Sequence, residues 1–128
     1  MSTKPFAVPA GNVTDSGWNE PKGRGVLTWE TLVDADVTPS ESLTSGIAIL
    51  EAGGFLALHR HSPPEFYHIL EGQSTVTVDG TEYQVATGDS VYVPPNAEHG
   101  IFNRSAARMR LLWVFPTSTL SEIEYTFS

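Results

Sequence analysis

The chain has 128 residues, 40% of them hydrophobic and 17% charged, with nine prolines, eleven glycines and no cysteine. That length suits one domain, the dense punctuation excludes a helical bundle, and no apolar run approaches the roughly 18 residues of a membrane helix. Fifteen acidic residues against seven basic give a net charge of −8, which repels phosphate backbones, so neither a nucleic-acid nor a membrane partner is expected.

Residues 1–23 carry Pro5, Pro9, Gly11, Gly17, Pro21 and Gly23 among scattered apolar positions. They read as an N-terminal arm that wraps around or pairs with the domain formed by residues 24–128. The opening MSTKPFAVPAGNV has no unbroken apolar core of a secretory signal, so a cytoplasmic location is expected. From residue 25 onward, short runs rich in Val, Ile, Thr, Leu and aromatics recur between turn residues. They predict strands at 26–33, 47–51, 55–60, 66–70, 75–78, 83–86, 90–93, 100–102 and 109–115.

Only 39–45 looks helical, and it is too short to carry a core. Asp79-Gly80, set between alternating residues, predicts a tight antiparallel hairpin. The fold class is therefore all-β and antiparallel, a sandwich or small barrel, and barrel closure is favoured because it removes exposed strand edges.

The four histidines are not scattered, since His59, His61 and His68 fall within ten positions and His99 follows a proline-rich turn. Without cysteine, any metal must be held by His, Asp or Glu. Residues two apart on a strand share a face, so His59 and His61 point together, and Glu65 re-enters that face after the Ser62-Pro63-Pro64 corner. Pro94-Pro95-Asn96-Ala97 supplies a rigid turn that can aim His99 inward. The set His59, His61, Glu65 and His99 then offers three nitrogens and one oxygen to one divalent transition metal ion. Iron, manganese, nickel, zinc and copper all accept such a set.

Alternation from Glu65 sends Tyr67 inward and Phe66, His68 and Leu70 outward, which leaves His68 out of the site. On the preceding strand it sends Leu56, Leu58 and Arg60 outward. An outer face this apolar predicts a homodimer.

These residues resemble the two motifs of the cupin family. GGFLALHRHSPPEFYHILEG at 53–72 matches the first motif at every signature position, and GDSVYVPPNAEHGIFN at 88–103 matches the second except that Asn96 stands where glycine is usual. Asn tolerates the left-handed conformation nearly as well. The resemblance implies a single cupin jelly-roll β-barrel (RmlC-like) with a metal site.

From about residue 25 to 125 the chain is similar to the short single-domain dimethylsulfoniopropionate lyases of that family, through GVLTWETLVDADV, HRHSPPEFY, NAEH and WVFPTSTLSEIEY. This likeness implies β-elimination of a small-molecule carboxylate substrate to dimethyl sulfide and acrylate. It also implies Tyr67 as the base and Tyr125 as a second active-site tyrosine. Trp29, Trp113, Tyr92 and Phe102 are aromatic candidates for holding a sulfonium head. The ligand set alone equally suits a metal-dependent dioxygenase or other oxidoreductase on a small organic acid, or a non-catalytic small-molecule-binding barrel.

Overall fold

A computed structural model describes residues 3–11 and 13–128. Among them are eleven strands and one 3-10 turn: β1 (Thr14–Glu20), β2 (Gly25–Val33), β3 (Thr44–Leu50), β4 (Phe55–Arg60), β5 (Glu65–Glu71), β6 (Gln73–Val78), β7 (Thr81–Ala86), β8 (Ser90–Val93), β9 (His99–Phe102), β10 (Met109–Phe115), the turn Leu120–Glu122, and β11 (Thr126–Phe127). All pairings are antiparallel. The sheet runs β7-β6-β9-β4-β2-β3-β10-β5-β8, with β1 added to β2 and β11 to β4. It rolls into a nearly closed jelly-roll barrel, as the strand pattern predicts.

The strands form where β-branched and aromatic residues alternate, and β10 shows the physical reason most clearly. Met109, Leu111, Trp113 and Phe115 are buried inside the barrel while Arg110, Leu112 and Val114 are only half-buried on its outer side. The 79–80 hairpin is as expected, with Asp79 at φ 46° and Gly80 at φ 83°, the two positive values that a tight turn matched to strand twist requires. Leu50, Ile69, Val76, Val85 and Met109 fill part of the interior. Elsewhere the interior stays open as a pocket.

Two expectations are corrected, on residues 39–45 and on Leu56, and the N-terminal arm gains a strand. Residues 39–45 contain no helix: Ser42 takes a left-handed φ of 62°, and Thr44 already begins β3. A strand, β1, lies within residues 14–20, pairing β2 from Thr14↔Thr31 to Glu20↔Gly25. Leu56 faces inward. The β4–β9 register shifts between Leu56 and His59, and the extra residue of this bulge puts both side chains on the interior face, where strict alternation would separate them.

Candidate metal centre and pocket

The bulge in β4 and the corner after it set the first two histidines, and β9 brings the third. His59 pairs directly with His99 across β4 and β9, and the backbone N–H of Asn96 donates to the His61 carbonyl at 2.9 Å, tying the second motif's turn to the first motif. Asn96 holds φ 62°, the left-handed conformation expected of it.

The imidazole nitrogens of His59, His61 and His99 that face one another lie within 4.8 Å, and all three side chains are buried. His68 stays outside the cluster, its Nδ1 meeting Ser90 Oγ at 2.8 Å on the outer surface.

Each of the three rings is oriented in the same way. Nδ1 meets a backbone carbonyl two residues away: Ala57 for His59 at 2.8 Å, Pro63 for His61 at 2.9 Å and Ala97 for His99 at 2.8 Å. A carbonyl can only accept, so Nδ1 carries the proton and Nε2 of the neutral ring presents a lone pair. Glu65 Oε1 sits 3.2 Å from His61 Nε2 and 3.3 Å from His99 Nε2, while His59 Nε2 is buried with no partner.

Lone pairs facing a carboxylate oxygen repel unless positive charge lies between them. The donor set therefore fits a bound cation, with His59 Nε2 as the orphaned donor waiting for it.

The electrostatics agree. Burial, and then the neighbouring His99, push His59 down to about 4, so it stays neutral at ordinary pH. Burial pushes the Glu65 carboxyl up, but when His61 and His99 each carry a second proton, on Nε2, their hydrogen bonds and charge outweigh burial and hold the carboxyl below its ordinary value.

Tyr67, buried and inward as expected, donates from its hydroxyl to Glu65 Oε1 at 3.1 Å. Burial first and the Glu65 charge second raise its phenol well above the ordinary value. Tyr125 comes in from the C-terminal segment, its ring 5.2 Å from that of His59 and 5.3 Å from that of His61. Burial raises its phenol too.

A cavity of about 530 Å³, counting its open mouth, is walled by Glu65, Tyr67, Tyr125 and a shell of apolar side chains. All three tryptophans of the chain, Trp18, Trp29 and Trp113, line it, and no Lys or Arg does. Of the four aromatic candidates, Trp29 and Trp113 are thus in the wall and two are not. Tyr92 is 64% exposed on β8, and Phe102 stacks on Phe55 with Arg104 over its ring. Trp18 and Leu120 are pocket residues that reading the sequence missed. Trp18 had a legible cue: turn residues 21–25 sit between two runs, each bearing a tryptophan, and the β1–β2 hairpin brings Trp18 and Trp29 edge to face at 5.1 Å.

Residues 46–115 match the cupin domain family model. Over 124 residues, 97% of this chain and 80% of the other, the sequence is 36% identical to the dimethylsulfoniopropionate lyase DddW of Ruegeria pomeroyi. Among solved structures, the polyketide cyclase RemF of Streptomyces resistomycificus superposes with a TM-score of 0.79 at 18% identity, covering 97% of this chain and 85% of that one. A chain from the crystal structures of the DMSP lyases RdDddP and RnDddQII gives 0.71 at 18% identity, covering 88% of this chain and 60% of that one. Identities this low speak for the fold alone. The family match, which spans more than half of the chain and takes in both motif strands and their histidines, establishes that the chain belongs to the cupin family.

Proposed function

We propose that this cupin is a metal-dependent lyase that cleaves dimethylsulfoniopropionate, or a similar small sulfonium carboxylate, by β-elimination. The observation that carries the reading is the Tyr67 hydroxyl on Glu65 Oε1 at 3.1 Å, in the wall of a pocket that gathers all three tryptophans and no cationic side chain. The 36% identical lyase of Ruegeria pomeroyi supports it.

His59, His61, Glu65 and His99 would hold one divalent transition ion, which when bound supplies positive charge for the substrate carboxylate and favours the phenolate of a nearby tyrosine. The chain's own groups do the rest. Aromatic faces attract a sulfonium head, and a wall free of Lys and Arg does not repel it. Tyr67 Oη, once ionised, takes the proton from the carbon beside the substrate carboxylate. The released electron pair becomes the carbon–carbon double bond, and the carbon–sulfur bond breaks with its electrons on sulfur, giving neutral dimethyl sulfide and acrylate. Tyr125, against the His59 and His61 rings, helps to place the substrate. Because burial and the Glu65 charge both oppose ionisation of Tyr67, the reaction depends on added positive charge in the site.

The test is a headspace assay for dimethyl sulfide with protein reconstituted with each of Fe, Mn, Ni, Zn and Cu, beside an oxygen-electrode trace on the same samples. Tyr67→Phe should keep its metal and lose roughly two to four orders of magnitude in turnover, the scale of a lost positioned base. If no metal yields dimethyl sulfide, the lyase reading fails, and oxygen uptake would then favour an oxygenase.

A further inference from the structure

Asp34 is a buried carboxylate that the proposed chemistry does not use. It lies just beyond β2, and both of its oxygens accept backbone hydrogen bonds. Oδ1 takes the N–H of Asp36 at 2.9 Å, and Oδ2 takes the N–H of Leu120, also at 2.9 Å, from the far end of the chain. Further bonds join the same two regions: Ala35 N–H donates to the Ser118 carbonyl at 2.8 Å, and the Ser121 hydroxyl donates to Asp36 Oδ2 at 3.1 Å.

The segment held in this way has little ladder pairing of its own. After Phe115 ends β10, the chain makes a single 3-10 turn and regains strand pairing only at Thr126–Phe127 on β4. Thr119 and Glu122 form a reciprocal cap, but that cap ties the turn only to itself. A turn this short cannot hold its own position. Yet Leu120 and Tyr125 line the pocket, with Ile123 buried between them. The backbone N–H that Asp34 holds belongs to one of these two wall residues.

The buried Thr44 hydroxyl donates to the Thr117 carbonyl at 2.6 Å and the Ser42 N–H donates to Ser118 Oγ at 3.0 Å, so the start of the segment is held independently. We propose that Asp34 is a positioning residue whose carboxylate, through the Leu120 N–H, fixes residues 119–125 as a strap and so sets Leu120 and Tyr125 against the pocket. Its consequence for turnover rests on the lyase reading. The position of the strap is measurable without turnover, because all three tryptophans line the same pocket and their emission reports its accessibility.

In the metal-loaded protein, Asp34→Ala should raise acrylamide quenching of tryptophan by about twofold or more and speed amide exchange across residues 119–125 by about tenfold or more, as for a locally freed segment. Exchange in the β6–β7 hairpin and metal content should not change. Asp34→Asn keeps one acceptor oxygen and should fall between Asp34→Ala and wild type. In an active enzyme, Asp34→Ala should raise KM by a larger factor than it lowers kcat.

Val85→Ala removes buried methyls from β7, outside the pocket wall, and controls for general loss of stability. Wild-type quenching and exchange in Asp34→Ala, or equal increases in Val85→Ala, overturn the proposal. If Asp34→Ala does not fold, the same two measurements on Asp34→Asn decide it. Failure of the wild type to release dimethyl sulfide would overturn the lyase reading and leave the strap measurements intact.

Discussion

At the scale of single residues, the centre is organised by carbonyls that each hold one imidazole proton, at Ala57, Pro63 and Ala97. The bare Nε2 atoms are thereby turned toward Glu65 and one another. Loss of one donor should cost bound metal: His59→Ala, His61→Ala, Glu65→Ala and His99→Ala are each expected to drop metal content, and His68→Ala to keep it, as read by elemental analysis.

The metal-free protein should be acid-sensitive in a defined window. His59 is held at about 4 in the folded chain against an unfolded value near 6.5, so between those values the unfolded state binds the extra proton. Stability from this group is full above about pH 6.5 and falls by about 3 kcal/mol as pH drops toward 4. The depressed Glu65 adds to the loss in the same direction, below its unfolded value. Urea midpoints of metal-free protein should fall over this range, and a flat profile from pH 7 to 4 would contradict it.

At the scale of elements, two local devices shape the pocket. The bulge in β4 places Leu56 and His59 on one face, so a single strand supplies both an apolar wall and a metal donor. Gly46 in β3 stands opposite Trp113 of β10 and Thr31 of β2. A Cβ there would overlap both the Trp113 ring and the Glu30 carbonyl, and a backbone carbonyl in a ladder cannot step aside. Gly46→Ala should therefore destabilise the fold by about 1–3 kcal/mol, the usual cost of overpacking. It should also shift the near-UV signal of tryptophan, since Trp113 must move. Unchanged unfolding and spectra would show that the two strands can spread.

At the scale of the whole molecule, the outer face of β3, β10, β5 and β8 is the anomaly. One side of an antiparallel sheet usually meets water and is polar, yet Ile47, Leu112 and Val114 lie half-buried there, beside exposed Phe66 and Leu70, with Tyr92 more exposed still. With a charge of −8, two copies repel through most of their surfaces, and this face carries little charge to oppose contact. It is proposed as a homodimer contact. Light scattering should give a mass near twice 13.9 kDa, and Phe66→Glu should halve it while the fold persists. A wild-type mass of one chain at micromolar concentration would refute the contact.

Much of this architecture is legible in the order of residues. The bounds of β4, β8 and β10 coincide with the apolar alternation at 55–60, 90–93 and 109–115, and Asp79-Gly80 dictates its own hairpin, because strand pitch and turn geometry are local properties. The spacing of His59 and His61, with Glu65 beyond a proline corner, likewise brings these groups to one side without reference to the rest of the chain. Other features depend on partners far away in sequence. Leu56 faces inward because a register shift against β9 resets the alternation, and register is a property of two strands. Trp18 enters the pocket because β1 pairs with β2, and Tyr92 and Phe102 are left out of it by where β8 and β9 lie on the barrel. The placing of Tyr125 falls to tertiary structure as well: a strap with almost no ladder takes its position from side chains such as Asp34, and their spatial meeting is invisible along the chain.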